Sequence, residues 1–141
     1  METNFNQTYL YKLHTMTNLM DRLFDQCLRR YADISLSQFT LLLSVADHGV
    51  VGGRTIAEFL ELTPSAISRQ VDLAYDNGWL NVVTNPKDRR GHKLSITQSG
   101  ASKVADGLVA LEQNVLGIFD KSDCSMSLMH HIDGLIGEMK E

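Results

Sequence analysis

Apolar residues in the first quarter of the chain recur every three or four positions, which is the spacing of one face of an α-helix. The pattern begins at Tyr9 and runs to Tyr31. It predicts one long amphipathic helix that precedes any compact core. The apolar stripe of this helix can pack on the rest of its own chain or on a second chain, and the pattern leaves both arrangements open.

Two further helical patterns follow. The first opens at Ser35, whose side chain suits a helix cap, and closes at His48 and Gly49. A glycine-rich connector, residues 50–53, comes next and has room for a short strand. The second pattern covers residues 54–62 and predicts a short helix. Three of its side chains are expected to face inward: Ile56, Phe59 and Leu60.

The next helix has a defined start, because Thr63 can cap it and Pro64 suits its first position. Its apolar positions share one face: Ile67, Val71 and Ala74. Its polar positions share another: Ser65, Ser68, Arg69 and Asp72. Asn77 and Gly78 end it. Two short helices joined by so few residues predict a helix-turn-helix, whose second helix reads the major groove of DNA.

Two strand patterns come after this helix, at residues 79–83 and 93–96. The loop between them contains Pro86, three cationic side chains and Gly91. The two strands are therefore expected to form a hairpin with a basic tip. A helix-turn-helix followed by such a hairpin is the outline of a winged helix.

The end of the chain carries two more amphipathic patterns. Thr97 caps the first, residues 120–125 interrupt it, and the last helix begins near Met126. Their apolar surface exceeds what a winged helix covers, so we expect them to join the first helix in a dimerisation bundle. The predicted fold class is mainly α (α+β). It comprises an N-terminal dimerisation helix, a winged helix-turn-helix DNA-binding domain and C-terminal dimerisation helices: residues 1–34, 35–97 and 98–141.

The charge distribution suits contact with nucleic acid on one surface, although the net charge of the 141 residues is −4. From Pro64 to Lys93 there are five cations and three anions, a local charge of +2. From Leu94 to Glu141 there are three lysines and seven acids, a local charge of −4. The acidic residues therefore concentrate away from the predicted contact surface.

No metal site or cofactor is expected, because Cys27 and Cys124 are far apart and His130 and His131 point in different directions on a helix. The sequence has no leader pattern and no apolar run near the roughly 20 residues of a membrane span, so a cytoplasmic protein is expected. An enzyme is not expected, since no nucleophile is paired with a base and no phosphate-binding glycine loop is present.

These motifs resemble those of the MarR family of bacterial transcription regulators over nearly the whole chain. The matching segments are Ser35–Phe39, Thr55–Ala57, Leu62–Arg69, Gly78–Leu80, Asp88–Gly91 and Leu94–Gly100. The chain departs from the family at Ala74, where relatives usually carry leucine, and at Leu73, where they usually carry a polar residue. The resemblance implies a homodimeric repressor that grips a pseudo-palindromic operator with two winged helices. It also implies a small lipophilic or phenolic effector that binds between the bundle and the DNA-binding region.

The second helix of the helix-turn-helix, which begins at Pro64, is called the recognition helix here. Side-chain chemistry suggests which of its groups meet DNA. Arg69 can bind guanine bidentately, or it can hold only a phosphate. Ser65 and Ser68 can donate to phosphates or base edges, and Ser65 can instead be a second capping group. The candidates on and next to this helix are Thr63, Ser65, Ala66, Ser68, Arg69 and Gln70.

The hairpin tip supplies the remaining DNA-binding candidates. Arg90 suits a narrow minor groove of DNA. Asp88, two residues earlier, can hold the Arg90 guanidinium in position. Lys87 and Arg89 suit backbone phosphates, and Gly91 completes the motif. The alternative is a solvated charge cluster on a loop.

Three questions about function stay open: the effector pocket, the role of Cys27 and whether the winged helix binds DNA at all. An effector pocket can draw on polar or aromatic residues of apolar faces, although such residues are more often satisfied core groups: Tyr9, His14, Met16, Tyr31 and His48. Peroxide-sensing members of the family carry a reactive cysteine near the start of the first helix, where this chain has Tyr11. Cys27 lies on the apolar stripe, which favours an inert thiol over a redox switch. A winged helix used only for protein association is the other alternative.

Overall fold

The computed structural model describes residues 8–84, 91–120 and 125–140, which form a set of helices and one small sheet. Its helices are α1 (Tyr9–Ala32), α2 (Leu36–His48), α3 (Gly53–Phe59), α4 (Pro64–Asp76), α5 (Gln98–Leu111), α6 (Gly117–Asp120) and α7 (Ser125–Met139). A π-helical turn, Glu112–Leu116, joins α5 to α6. The strands are β1 (Val51–Gly52), β2 (Leu80–Thr84) and β3 (His92–Ile96). The predicted fold class is confirmed.

Helix α1 is buried only near its C-terminal end, at Cys27, Leu28 and Ala32. The preceding turns expose large apolar side chains: Tyr9, Leu10, Tyr11, Leu13, Met16, Leu19 and Leu23. Leu10 is 80% exposed within this chain. The described part of the chain therefore covers the end of the stripe and leaves its beginning in contact with solvent.

The junction between α1 and α2 is fixed by a carboxylate. Asp25 accepts hydrogen bonds from the Leu36 amide at 2.9 Å and from Arg29 Nε at 2.7 Å. The hydrogen bond from the Leu36 amide has the larger effect and the one from Arg29 the smaller, and together they hold the pKa of Asp25 below its usual 3.8. Ser35 caps α2 by accepting from the Gln38 amide at 3.1 Å. These bonds satisfy two orphan amides of α2 and tie its start to α1.

Helix α2 forms the middle of the core. Four of its apolar side chains are almost wholly buried: Phe39, Leu41, Leu42 and Val45. They meet buried residues from every neighbouring layer: Leu28, Ile56, Ala74, Leu80, Leu94 and Val104. The winged-helix elements and the long helices thus share one core, centred on α2.

The sheet has the strand order β1-β3-β2 and is antiparallel throughout. Leu80 pairs with Ile96, and Val51 pairs with Leu94. The short strand suggested by the connector is therefore present. Strand β2 begins at Leu80 rather than Trp79, because the Trp79 amide donates to the Ala74 carbonyl and ends α4.

The short helix differs from the sequence prediction in its end and in its buried face. It stops at Phe59 instead of residue 62, since the chain turns at Glu61, where φ is +54°. Phe59 was predicted to face inward but is 61% exposed. Ala57 is buried beside Ile56 in its place, and Phe59 lies against the His48 ring at 5.2 Å.

Helix α5 packs through small residues. Its buried positions are Gly100, Val104, Gly107, Ala110 and Leu111. Leu108, a larger apolar residue of the same helix, is 48% exposed. Small side chains allow closer approach of neighbouring elements than leucine does, so they set which face of α5 is buried. Lys103 reinforces this packing by donating to the Ala32 carbonyl of α1 at 2.9 Å.

Substitution of Gly107 by alanine is expected to lower the free energy of unfolding by about 1–3 kcal/mol, the usual cost of overpacking. A methyl group there would overlap Phe39 Cε2 and lie 2.6 Å from Phe39 Cδ2. The measurement is urea denaturation at one fixed protein concentration. Gly53→Ala is the matched control, since nothing lies within 4 Å of a Cβ at that position. Equal stabilities of the two variants would contradict the packing described.

Candidate nucleic-acid interface

The turn between α3 and α4 is closed by backbone hydrogen bonds. The Leu62 amide donates to the Ala57 carbonyl at 2.9 Å, and the Glu61 amide donates to the Glu58 carbonyl at 3.2 Å. Ile56 and Ala57 anchor α3 in the core. These contacts fix where α4 begins relative to α3, as a helix-turn-helix requires.

Thr63 sets the first turn of α4. Its hydroxyl accepts from the Ala66 amide at 3.2 Å and lies 3.3 Å from the Ser65 hydroxyl. The Thr63 side chain is therefore occupied by capping, as predicted. Ser65 is exposed beside it and contacts the cap, so the geometry is compatible with both interpretations of Ser65.

The two faces of α4 divide as its sequence pattern predicts. Ile67 and Ala74 are buried and Val71 is half-buried, so the small residue at 74 fits against the core without a leucine. The outer face exposes Ser65, Ser68, Arg69, Asp72 and Leu73. An open groove of about 560 Å³ runs along this face. Its lining residues are Ala66, Arg69, Gln70, Asp72, Leu73 and Asp76.

The charges on α4 are mixed. Arg69 shares the groove with two acids, Asp72 and Asp76. Phosphate attraction therefore has to come chiefly from outside α4. The sequence places most nearby cations in the hairpin tip, at Lys87, Arg89 and Arg90.

The hairpin places the ends of its tip side by side. Thr84 of β2 pairs with His92 of β3, and Gly91 precedes β3 and is half-buried. Lys93 is exposed on β3. The tip candidates Lys87, Asp88, Arg89 and Arg90 lie outside the described residues.

Gln38 is a contact of the recognition helix that sequence reasoning missed. It is 3% exposed on α2, and its Nε2 donates to the Gln70 carbonyl of α4 at 3.0 Å. The same nitrogen also contacts Gln70 Oε1. A polar residue in the apolar run of α2 was a signal, but its partner 32 residues away becomes evident only in the fold. Gln70 is half-buried and joins α2 to the groove.

The five candidate effector residues are not gathered at one place. Tyr9 and Tyr31 lie at opposite ends of α1, roughly 33 Å apart at 1.5 Å per residue. His14 is exposed, and His48 ends α2, where its Nδ1 lies 2.7 Å from the Ser44 carbonyl oxygen. Met16 lines an apolar cavity of about 380 Å³ between α1 and the segment formed by the π-helical turn and α6. The other lining residues are Tyr11, Lys12, Thr15, Leu19, Met20, Leu23, Phe24, Val115 and Ile118.

Cys27 is a buried thiol with a hydrogen-bond acceptor. It is 6% exposed, and its Sγ donates to the Ala110 carbonyl at 3.2 Å. Burial raises the pKa of the Cys27 thiol, which favours the unreactive protonated form. Cys124 lies outside the described residues.

The part of the chain that the structure describes has neither a metal-binding cluster nor a membrane-spanning helix. No group of three or more histidine, cysteine or acidic side chains there is placed to hold a metal ion. None of the described helices is long and apolar enough to span a membrane.

Comparison with known proteins relates the chain to one family. Residues 34–92 match the model of the MarR family. An uncharacterized HTH-type transcriptional regulator of Bacillus subtilis, YhbI, is 24% identical over 77% of this chain and 71% of its own length. The multiple antibiotic resistance protein MarR of Escherichia coli is 28% identical over 64% of this chain. That alignment spans 62% of MarR, slightly less than two thirds of its length.

Solved structures agree with the fold. The wild-type apo form of MarR from E. coli superposes with a TM-score of 0.78 at 20% identity, covering 92% of this chain and 96% of MarR. A mutant MarR from E. coli complexed with operator DNA gives a TM-score of 0.73 at 18% identity. That match covers 96% of this chain and 99% of the other.

In a Cys124→Ser variant, Cys27 is expected to react with a thiol reagent at pH 8 at least roughly tenfold more slowly in the native protein than in urea. Its burial and raised pKa both keep the thiolate concentration low. The reaction rate of Cys27 is measured from the absorbance of the coloured group that the thiol reagent releases. Fast reaction of the native protein would instead favour the redox interpretation of Cys27.

Proposed function

We propose that this chain is a winged helix-turn-helix transcriptional regulator of the MarR family, which represses transcription by binding a pseudo-palindromic operator as a homodimer. The observation that carries this proposal is the outward face of α4, where Ser65, Ser68 and Arg69 are exposed on a helix anchored by the core. The related MarR of E. coli has been crystallised with operator DNA.

The recognition helix supplies the base contacts in this proposal. Arg69 binds a guanine edge or a neighbouring phosphate, and Ser68 donates to the groove beside it. Ser65 and Ala66 approach the DNA at the first turn, and Thr63 holds that turn. Gln70 contributes at the inner edge of the groove.

The hairpin tip supplies affinity. Arg90 enters the minor groove with Asp88 as its brace, and Lys87 and Arg89 meet phosphates. Gly91 connects this tip to β3. The acids on α4 support a separate source of phosphate contacts, because they leave α4 itself with little net attraction for the DNA backbone.

A second copy of the chain is proposed to cover the exposed apolar residues of α1 and α7. Met126 and Met139 of α7 are 87% and 77% exposed, and Leu10 of α1 is 80% exposed. Exposed apolar residues in such number favour an interface between subunits. We retain the division into residues 1–34 and 98–141 for dimerisation and 35–97 for DNA binding.

An effector is proposed to act where the bundle meets the DNA-binding region. The apolar cavity containing Met16 suits a lipophilic or phenolic molecule, but it is lined only by α1, the π-helical turn and α6, so it is a second candidate position inside the bundle. Tyr9, His14, Tyr31 and His48 remain candidates for contacts in the dimer. A regulator of this kind works in the cytoplasm, and no catalytic activity is proposed for it.

Binding to duplex DNA is expected to weaken by roughly 10³–10⁵ between 50 and 200 mM salt, if a dimer makes about 6–10 phosphate contacts. Arg69→Ala and Arg90→Ala are expected to weaken operator binding by at least about fivefold, the lower bound for a specific base contact. Fluorescence anisotropy with an operator selected from a random pool measures both effects.

Arg22→Ala is the matched control, because Arg22 is an exposed cation on α1, away from the recognition helix. It changes the net charge equally and is expected to leave operator affinity within about twofold. Salt-independent or undetectable binding by the wild type would refute the regulator function. The chain would then be pursued as a protein-association module.

Leu10→Glu is expected to shift the protein from dimer toward monomer, because it places a charge on the apolar face proposed to meet the second copy. Sedimentation velocity over a concentration series measures the shift. Val50→Glu is the control: Val50 is also exposed, at 73%, but lies next to β1 in the winged-helix region. A monomeric wild type, or an equal effect of both variants, would exclude the proposed interface.

A further inference from the structure

Gln38 occupies an unusual position for a polar side chain. It is 3% exposed in the apolar layer of α2, and its Oε1 has no hydrogen-bond partner among the described residues. A buried acceptor without a partner is unfavourable for stability. The amide nitrogen of Gln38 contacts the backbone and the side chain of Gln70 on α4. Since Gln70 lines the groove of α4, these contacts suggest that Gln38 influences that groove.

The hydrogen-bonding atoms of these two amides can be assigned by elimination. The Gln70 carbonyl only accepts, so the Gln38 atom 3.0 Å from it is the amino nitrogen. The second hydrogen of that nitrogen faces the Gln70 side chain, and the Gln70 atom there has to be an acceptor. It is Oε1. The amino group of Gln70 is therefore the end left unbonded by Gln38.

This arrangement limits what Gln70 can recognise. Gln70 lines the same groove as Arg69 and is half-buried. A glutamine with both amide atoms available binds adenine bidentately, donating to N7 and accepting from N6. Because the Gln70 oxygen points toward buried Gln38, the end of the amide left for the groove is the amino group, which donates. Guanine presents two acceptors, O6 and N7, on the same edge.

We infer that Gln38 is a positioning residue that orients the Gln70 amide so that the recognition helix favours guanine over adenine at one operator position. The inference rests on the proposed binding of operator DNA. Gln38 does not touch DNA in this scheme. It acts by holding the Gln70 oxygen inside the protein.

The test begins with selection of the operator from a randomised duplex pool by the wild-type protein. Duplexes with guanine or adenine at each position are then titrated with wild type, Gln70→Ala and Gln38→Leu. At one position the wild type is expected to prefer guanine by at least about fivefold, and Gln70→Ala to lose that preference. Gln38→Leu is expected to reduce it to about twofold or less, because the freed amide can then rotate to bind adenine.

Two further variants separate this effect from a general loss of structure. Gln38→Met removes the amide with an unbranched side chain and is expected to reproduce Gln38→Leu. Ser44→Ala changes the other buried polar residue of α2, whose hydroxyl donates within its own helix to the Thr40 carbonyl at 2.7 Å. It is expected to keep the guanine preference, and melting temperatures confirm that each variant is folded.

The outcomes distinguish the inference from the function on which it rests. If wild-type protein shows no salt-sensitive DNA binding, the regulator function fails and the inference fails with it. If the wild type binds but Gln70→Ala alters no base preference, or Gln38→Leu and Gln38→Met both leave the preference intact, only the inference is overturned. Loss of preference at every position in these variants would show a structural effect and overturn it as well.

Discussion

Burial of α2 is the constraint on which the other elements depend. Leu41, Leu42 and Val45 are fully buried, so each surrounding element takes its position by packing against this helix. Asp25 fixes its start against α1, and Gln38 joins it to the recognition helix. A displacement of α1 relative to the winged helix therefore has to be accommodated at α2. That coupling suits a regulator in which a bundle and a DNA-binding region respond to each other.

Close approach governs how α5 joins this core. Gly107 admits the Phe39 ring, and Gly100 lies against the Trp79 carbonyl, where a Cβ would be in steric conflict. Lys103 extends from α5 to the end of α1 and lies 5.4 Å from the Trp79 ring. Small residues and one long cation thus connect α5 to the end of α1, to α2 and to the turn at Trp79.

The candidate DNA-binding surface combines a rigid support with mixed charge. Its recognition helix is anchored by Ile67 and Ala74 and carries both Arg69 and acids. Base selection by few, well-held polar groups is consistent with such a surface, and in the proposed function phosphate attraction comes from cations outside α4.

The sequence by itself determined the order of helices and strands and the polar face of α4, because periodicity, caps at Ser35, Thr63 and Thr97, and glycine stops are local signals. Only the tertiary structure decided which residues face inward on short or small-residue helices. Phe59 is exposed and Gly107 is buried because neighbouring elements, not local pattern, set the closest approach. The contact between Gln38 and Gln70 likewise depends on packing between segments 32 residues apart, which no local pattern encodes.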